Sequence, residues 1–308
     1  MEMPLSTLID PPELRALSRR SDRIGLTWLA GHLGLILSLC LLVVALRRSG
    51  HPWASVPAMA ALGVAWVALF TPLHETTHRT PFESQRLNRA VGYFCGFALW
   101  LPPEGFRLFH MAHHRHTRDP VRDPELIGVS PLTIGGYLWR LSGLPYWRAQ
   151  ATLIGQAACG RVREPWVPEA ARPRVVAESR AFLGGYAAIA AGAAILGSPW
   201  PVWLYLLPVL LGQPALRAVL MAEHGGLPRV SDRLVNTRTT RAGWIATRLF
   251  WNANYHAEHH LAPGVPFHAL PRLHALLRPR LHAVCDGYAA AHAQIRADPA
   301  RPVDGGGR

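Results

Sequence analysis

The chain contains no lysine: all 32 of its basic residues are arginine, against 19 acidic residues. Charged residues make up only 17% of the 308 residues, while 50% are hydrophobic. So small a charged fraction is unusual for a water-soluble domain of this size, which makes an integral membrane protein the first class to test. Attraction to anionic lipid headgroups explains the formal net charge of +13. Nucleic-acid binding is the rival explanation, and we set it aside because no DNA- or RNA-binding motif is legible.

Cysteine is also scarce. The four cysteines, Cys40, Cys95, Cys159 and Cys285, are scattered and form no CxxC pair. This pattern excludes a disulfide framework and fits a reducing, cytoplasmic environment. We expect all four to be buried structural residues.

Long uncharged stretches predict membrane-spanning helices. Ile24 to Leu46 is a run of 23 residues without a charged side chain. A helix of that length is about 34 Å long, enough to cross a hydrocarbon core of roughly 30 Å, and the run is too long for a signal peptide. Together with three further stretches, it predicts an all-α integral membrane protein with four spans in two hairpins. The predicted spans are residues 24–46, 52–73, 181–197 and 201–222, the last kinked by Pro208 and Pro214.

The placement of arginine predicts the orientation of the chain. Arginines are dense before the first span and from Arg79 to Arg180, whereas the two short outer loops carry few. The positive-inside rule therefore places the N-terminus, the central loop and the C-terminal region in the cytoplasm. The predicted organisation is a cytoplasmic interfacial segment (1–23), a membrane domain (24–297) and a disordered tail (298–308).

Three short clusters hold eight of the sixteen histidines: HETTH at 74–78, HMAHH at 110–114 and HAEHH at 256–260. Residues three or four apart share one face of a helix, so each cluster is expected to aim its imidazoles at one point. Imidazole is the commonest side-chain metal ligand and suits iron, zinc, copper and nickel. A tetrahedral zinc site takes at most four protein ligands. Eight histidines are too many for one such site and suit two metals.

The predicted topology brings these clusters to one side of the membrane. The first follows the second span directly, and Glu223-His224 lies just past the fourth. The second cluster follows the apolar stretch 90–101, which is too short to cross and predicts a re-entrant or interfacial segment. The clusters are therefore expected in a cytoplasmic helical cap. The histidines that match no such spacing are expected to be surface or packing residues: His32, His51, His268, His274, His282 and His292.

HxxxH, HxxHH and HxxHH in this order, with spans split two and two, resemble the membrane-bound fatty acid desaturase and hydroxylase superfamily. The resemblance covers roughly residues 50 to 280, and the segments Phe106–Pro120 and Asn254–His260 are particularly similar to bacterial members. Among these, the chain resembles the rhizopine-oxygenase-like subgroup. The resemblance implies a multi-pass protein of the bacterial inner membrane with its active site on the cytoplasmic side.

The resemblance also implies a metal centre. Its eight cluster histidines would bind a non-haem di-iron centre, and His224 is similar to an extra motif of alkane-hydroxylating relatives that supplies a ninth ligand. The expected ligands are His74, His78, His110, His113, His114, His224, His256, His259 and His260. His116 is expected beside the centre, holding a ligand in place. Metal-bound imidazoles usually donate their other N–H to a carboxylate or carbonyl. The candidate carboxylates are Glu75, Asp119, Asp123, Glu125 and Glu258.

Members of this superfamily use dioxygen and two external electrons to desaturate or hydroxylate unactivated C–H bonds. The function implied here is desaturation of the acyl chain of a lipid. Hydroxylation of an alkyl or small polar substrate is the alternative. No His-Pro-Gly-Gly motif of a fused cytochrome domain occurs. Electrons are therefore expected from a separate ferredoxin or rubredoxin with its reductase.

Two rival functions belong to other classes. HETTH at 74–78 is also a literal HExxH, the motif of zinc metalloproteases in which Glu75 would be the general base. This motif leaves both HxxHH clusters unexplained. A metal transporter is the second rival, but transport sites lie near the bilayer midplane, where these spans carry almost no ionisable groups.

Overall fold

The structure, a computed structural model, describes residues 5–50, 52–126 and 133–297, which are predominantly helical. The helices are α1 (Leu5–Leu8), α2 (Pro11–Leu17), α3 (Asp22–Arg48), α4 (Ser55–Ala68), α5 (Phe70–His78), α6 (Gln85–Ala98), α7 (Pro103–His116), α8 (Ile134–Leu141), α9 (Leu144–Ala158), α10 (Arg172–Ile195), α11 (Leu207–His224), α12 (Arg233–Asn236), α13 (Trp244–Leu249), α14 (His256–Leu261), α15 (Leu270–Leu277) and α16 (Gly287–Ala297). Short 3₁₀ turns occupy Pro52–Ala54, Glu169–Ala171, Phe267–Ala269 and Arg278–Arg280, and a π-helical turn occupies Val202–Leu206. Two strands, β1 (Thr239–Thr240) and β2 (Val284–Cys285), pair in parallel. The tail predicted to be disordered (298–308) lies outside the described residues.

Three helical segments of the described chain are long and apolar enough to cross a membrane: Asp22–Arg48, Pro52–His78 and Val202–His224. The first two contain the spans predicted at 24–46 and 52–73, and the third covers the span predicted at 201–222 except for its first residue. The second bends between α4 and α5, because Pro72 has no N–H to donate to the carbonyl one turn earlier. All four cysteines are free, but only Cys95 and Cys285 are buried as expected, while Cys40 is half-buried and Cys159 is exposed.

The span predicted at 181–197 does form a helix, α10, but it is not among the segments apolar enough to cross. The first part of α10 carries Arg172, Arg174, Glu178 and Arg180. Only residues 181–195 remain uncharged, a length of about 22 Å, which is short of a hydrocarbon core of roughly 30 Å. The arrangement of four spans therefore stays a prediction.

Two glycines allow α4 and α11 to cross at very close range. A Cβ atom added at Gly63 would lie 1.8 Å from the carbonyl oxygen of Pro208, and one at Gly212 would lie 2.1 Å from the carbonyl carbon of Gly63. Small residues are favoured at such crossings between membrane helices because they let the backbones approach. The crossing fixes α11, which ends at His224, against the segment that carries the HETTH motif (74–78).

The start of the last span is irregular at the place where the prolines predict it. Pro208 has no N–H for the carbonyl of Leu204, one turn earlier, and the π-helical turn ends just before it. The indole N–H of Trp66 donates to this freed carbonyl at 2.9 Å. This hydrogen bond is thus a second contact between the segments Pro52–His78 and Val202–His224.

The spans place their histidine-bearing ends together. The backbone N–H of Ser84, a few residues after the HETTH motif, donates to the carboxylate of Asp22 at 2.9 Å, so α3 begins beside the end of α5. At the opposite ends, the guanidinium of Arg47 stacks 3.3 Å from the ring centre of Trp203. Hence α3 starts, and α5 and α11 finish, on the same side of the molecule.

The apolar stretch 90–101 forms most of α6 and returns the chain to this side. The Ser84 hydroxyl caps its first turn by accepting from the N–H of Leu87. Its last turn closes through the N–H of Leu101, which donates to the carbonyl of Gly96 at 2.9 Å. Helix α7 then begins at Pro103 and carries the HMAHH motif (110–114). The re-entrant or interfacial position expected for this stretch stays a prediction.

The N-terminal segment packs against the C-terminal helices. Ile9 and Leu17, from the ends of α1 and α2, are buried against Leu270, Leu273 and Leu277 of α15. This contact holds the segment that was expected to serve as an interfacial anchor against the helical cap.

Candidate metal centre

Five histidines from three helices form what we term the first cluster. They are His74 and His78 of α5, His110 and His114 of α7, and His259 of α14. One nitrogen from each lies within 4.8 Å of the others. The Nε2 atoms of His78 and His110 are 2.8 Å apart, and those of His114 and His259 are 3.2 Å apart.

Four further histidines form the second cluster, again with one nitrogen of each within 4.8 Å of the others. They are His113 of α7, His224 of α11, and His256 and His260 of α14. The Nε2 atoms of His224 and His256 lie 3.2 Å apart. The two clusters are adjacent, since the ring centres of His114 and His260 are 4.1 Å apart.

All nine predicted histidines are thus brought together, but the grouping differs from the expectation that each HxxHH cluster aims at one point. Consecutive residues of an α-helix point about 100° apart, so neighbouring side chains diverge. On α7, His110 and His114 therefore face the first cluster while His113 faces the second. On α14, His259 faces the first cluster, and His256 and His260 face the second.

Buried groups fix the outward-facing Nδ1 atoms of the second cluster. His113 donates to Asp123 at 2.9 Å, and His224 donates to the carbonyl of Asn236 at 3.1 Å. His260 donates to the hydroxyl of Thr117 at 3.2 Å, and the Nδ1 of His256 lies 3.4 Å from the carboxylate of Glu223. An Nδ1–H that points outward leaves the Nε2 lone pair free to point inward, which is the tautomer a metal ligand needs.

Asp123 is itself held by the backbone. Its Oδ2 accepts the N–H of Arg118 at 2.7 Å, and its Oδ1 accepts the N–H of Glu125 at 3.0 Å. Arg118 adopts a left-handed conformation with φ of 67°, immediately after α7, so the chain doubles back towards His113. The carboxylate is therefore oriented before any ligand arrives.

Glu75 stands between two histidines of the first cluster, with one oxygen 3.7 Å from the Nδ1 atoms of both His74 and His259. Its other oxygen accepts from the hydroxyl of Thr80 at 2.9 Å and from the N–H of Phe267 at 3.1 Å. Glu258, the glutamate of the HAEHH motif, points away from both histidine clusters. It pairs with His274 and with the hydroxyl of Thr239.

The remaining predicted neighbours divide similarly. Glu125 lies 3.7 Å from His113 and so belongs to the site. Asp119 pairs with Arg122 and accepts backbone N–H groups of its own turn, so its role is a local cap. His116 is half-buried and lies outside both clusters. The expectations of a site role for Asp119 and Glu258 are therefore not supported by their contacts.

Sequence reasoning missed three contributors: Glu223, Thr117 and the carbonyl of Asn236. Glu223 has a legible signal, because it directly precedes His224. The other two have none, since they reach the site only through the turn after α7 and the segment after α11. The C-terminus of α11 is held in addition by the buried guanidinium of Arg238, which donates to the carbonyls of Ala222 and Gly225. A cation at this end also complements the helix dipole.

Burial sets the protonation of the clusters. It lowers the pKa of His110, His114, His256, His259 and His260 well below the ordinary value, and the neighbouring histidines lower it further. Burial also lowers the pKa of His113, but the carboxylates of Glu125 and Asp123 outweigh it and raise that pKa overall. The five histidines with a lowered pKa are thus neutral at pH 7 and present lone pairs to their neighbours.

This donor set fits metal ions. The Nε2 atoms of His74 and His260 and the Nδ1 of His259 are buried without a hydrogen-bond partner among the described residues. Facing lone pairs less than 3.3 Å apart repel unless a proton or a cation lies between them. Nine imidazoles in two groups, eight of them buried and that of His78 half-buried, therefore suit two metal ions of the nitrogen-preferring kind, such as iron, zinc, copper or nickel.

A cavity of about 1440 Å³ borders both clusters. It reaches His74 and His110 of the first cluster and His113, His224 and His256 of the second. Aromatic and aliphatic side chains cover much of the remaining wall, among them Phe70, Phe106, Phe109, Leu153, Trp166 and Leu220. The cavity is large enough for an organic substrate beside the histidines.

Comparison with known proteins gives consistent results. Residues 50–292 match the family described as fatty acid desaturase. A dihydrorhizobitoxine desaturase of Bradyrhizobium elkanii is 25% identical over 238 residues, covering 70% of this chain and 65% of that protein. A sphingolipid delta(4)-desaturase of Drosophila melanogaster is 29% identical over 120 residues, covering 36% and 37%. An sn-1 oleoyl-lipid 12-desaturase of Picosynechococcus is 24% identical over 253 residues, covering 74% and 70%.

The match thus spans just under two thirds of the first relative and a little over a third of the second. The family match covers residues 50–292, which is most of this chain, and it includes all nine clustered histidines. The chain therefore belongs to the fatty acid desaturase family, within the superfamily of membrane desaturases and hydroxylases.

Proposed function

We propose that the two clusters hold two iron ions and that the protein is an O2-dependent oxidoreductase that desaturates the acyl chain of a lipid. One observation carries the proposal: nine histidines, all buried except the half-buried His78, converge in two adjacent groups beside a large, partly apolar cavity. The names of the three relatives, all desaturases, support desaturation over other oxidations.

The ligands of one iron would be the five histidines of the first cluster, and those of the other the four of the second. When bound, the iron pair supplies the activation of dioxygen that removal of hydrogen from an unactivated C–H bond requires. In the overall reaction, two neighbouring CH₂ groups lose two hydrogens while dioxygen takes up two external electrons and two protons and leaves as two waters.

The chain's own residues set the conditions for this reaction. Asp123, Thr117 and the carbonyl of Asn236 hold the Nδ1 protons of His113, His260 and His224 outward, so the ligand tautomers are fixed in advance. The rings of Phe70, Phe106 and Phe109 line the cavity and exclude water from the substrate's path. Each buried CH₂ of an acyl chain contributes about 0.8 kcal/mol to binding, so such a wall suits an apolar chain.

Hydroxylation is the alternative outcome of the same chemistry: one C–H bond becomes C–OH, and the second oxygen atom leaves as water. Both outcomes need an external electron donor. We propose a separate ferredoxin or rubredoxin with its reductase, which would dock on the arginine-rich face by charge complementarity. We place the protein in the bacterial inner membrane with the histidines on the cytoplasmic side.

The decisive experiment reconstitutes the iron-loaded protein in lipid nanodiscs with ferredoxin, ferredoxin reductase and NADPH. We expect oxygen consumption coupled to a product that lacks two hydrogens, identified by mass spectrometry. A product with one added oxygen atom would favour the hydroxylase instead. The control is the His113→Ala, His259→Ala double variant, which removes one histidine from each cluster. Unchanged oxygen-dependent product formation in that variant would refute the di-iron proposal.

The zinc-protease alternative predicts a different result for Glu75→Gln. A protease would lose all activity with its general base, whereas the oxidase should retain part of its rate. In the structure, Glu75 is engaged by Thr80 and the N–H of Phe267 and serves as a neighbour of His74 and His259. Metal analysis is the independent check: two irons per chain are expected, against one zinc. A transporter would move metal across vesicles without consuming oxygen.

A further inference from the structure

Arg217 is a charged residue that the proposed di-iron chemistry does not use. It lies in the third candidate span, Val202–His224, where it is the only arginine. Charged residues within membrane-spanning segments are costly and usually mark a functional site. Arg217 is half-buried and borders the same cavity that reaches both histidine clusters.

The guanidinium is held by its face rather than by its N–H groups. Its central carbon lies 4.3 Å from the ring centre of Tyr146 on α9, and the Tyr146 hydroxyl is in turn anchored on the carbonyl of Leu99 at 3.2 Å. The Nε atom of Arg217 is buried and has no hydrogen-bond partner among the residues that the structure describes. Within residues 5–50, 52–126 and 133–297, no acidic oxygen lies within 4.0 Å of this guanidinium.

Two acidic residues of the cavity, Glu223 and Glu125, attract Arg217 electrostatically but form no ion pair with it in the described part of the chain. Glu223 lies 3.4 Å from His256 and Glu125 lies 3.7 Å from His113. Both therefore stand beside the second cluster, where they act on its histidines. Arg217 is left as a cation whose planar N–H edge can receive a ligand from the cavity.

The spacing along α11 relates Arg217 to the reacting centre. Leu220, Met221 and His224 lie three, four and seven residues after Arg217, so all four share one face of the helix, and all four border the cavity. Seven residues at 1.5 Å each separate Arg217 from His224 by roughly 10 Å along the axis. The face thus presents a cation, then apolar side chains, then a histidine of the second cluster.

We infer that the substrate is a free carboxylic acid, bound through its carboxylate to Arg217, with its chain lying along Leu220 and Met221 towards the histidine clusters. A carboxylate matches the guanidinium fork with two parallel hydrogen bonds, and Arg is favoured wherever such recognition occurs. An acyl chain esterified in a membrane lipid has no carboxylate to offer. The inference rests on the proposed function, because it names the substrate class of the same site.

The test measures binding separately from oxidation. Detergent-purified, iron-loaded protein is titrated with octanoate, decanoate and laurate and with the methyl ester of each acid. The unaltered protein is expected to bind the acids about 10- to 100-fold more tightly than the esters, the range for a charge-assisted pair. Arg217→Gln should remove this difference by weakening only the acids, and Arg217→Lys should restore part of it because the charge remains.

Arg248→Gln is the matched control. Arg248 is also half-buried and stacked on an aromatic ring, 3.6 Å from that of Trp28, but it does not border the cavity. Its replacement should leave the preference for acids unchanged. Circular dichroism and iron content establish that each variant folds; should Arg217→Gln fail to fold, the acid–ester comparison in the unaltered protein decides. Equal affinity for acids and esters there would overturn the inference.

The outcomes separate the two proposals. Oxidation of esterified lipids at the same rate by the unaltered protein and by Arg217→Gln would overturn the carboxylate inference and leave the di-iron function standing. Arg217-dependent binding of acids without any oxygen-dependent product would support the carboxylate site and count against the proposed reaction. Arg217-dependent binding together with conversion of the acid would support both.

Discussion

The division of the histidines into two clusters predicts that variants resemble each other by cluster and not by position in the sequence. His113 and His114 are neighbours in the chain but face different clusters, and so are His260 and His259. His113→Ala should therefore resemble His260→Ala, whereas His114→Ala should resemble His259→Ala. Grouping by sequence would instead pair His113 with His114.

The sizes of the two clusters set the magnitude. Loss of one ligand leaves three histidines in the second cluster and four in the first. Replacing even an outer partner of a metal-bound histidine typically weakens metal binding 10- to 100-fold, so loss of a direct ligand should exceed that range. We expect variants of the second cluster to fall from two irons to about one per chain. Variants of the first cluster should retain more iron at the same free-iron concentration.

The assay is iron content per chain by plasma mass spectrometry after dialysis against a graded iron buffer. Two double variants complete the design. His113→Ala with His260→Ala affects one cluster and should lose little more iron than either single variant. His113→Ala with His259→Ala affects both and should lose nearly all. Equal iron loss in these two double variants would refute the division into five and four.

Three further predictions concern the supports of the site. Asp123→Asn removes the carboxylate that accepts from His113, so iron affinity should fall about 10- to 100-fold, measured with the same iron buffer; an unchanged affinity would contradict this role. Gly63→Leu places a side chain against the backbone of Pro208, so the free energy of unfolding should fall by about 1 to 3 kcal/mol or more in a thermal or denaturant assay, while Gly34→Leu, which meets no atom within 4 Å, should change it little. Burial lowers the pKa of five clustered histidines outside the spans, so their neutral forms favour the folded, iron-free protein. This contribution to the free energy of unfolding should be fully present above about pH 6.5 and should be lost below it, by up to about 1.4 kcal/mol per pH unit for each imidazole. A thermal midpoint equal at pH 7.5 and 5.5 would contradict the last prediction.

Helix-forming runs were more predictable than their relation to the membrane. Ile24–Leu46 is apolar throughout, so its length alone predicts a span, and α3 contains it. The stretch 181–197 is also apolar, yet the helix that contains most of it, α10, begins nine residues earlier with three arginines and a glutamate and ends at Ile195. Where a helix begins depends on its capping and packing, which a count of apolar residues does not include.

The family comparison also agrees with the resemblance seen in the histidine pattern, since the matched region begins at residue 50, as predicted, and extends to 292. The patterns at His74, His110 and His256, with the similarity of the segments Phe106–Pro120 and Asn254–His260 to bacterial members, carried this resemblance. Glu258 shows the limit of the same reasoning. It lies inside a cluster in the sequence, but a helix turns its side chain about 100° from that of His259, towards His274.

The sequence by itself thus determined the helical class, three of the four predicted spans and the eight histidines of the HxxxH and HxxHH patterns, because these follow from composition and from spacing along a helix, whereas His224 was expected only from the family resemblance. Only the tertiary structure decided how the histidines divide, since the two groups are assembled from α5, α7, α11 and α14, which are far apart in the chain. It likewise brought Glu223 to His256, and it placed the lone arginine of the third span, Arg217, in the wall of the cavity that reaches both clusters. Local spacing predicts which side chains share a helix face; what each face meets depends on the packing of helices such as α4 and α11 at Gly63 and Gly212.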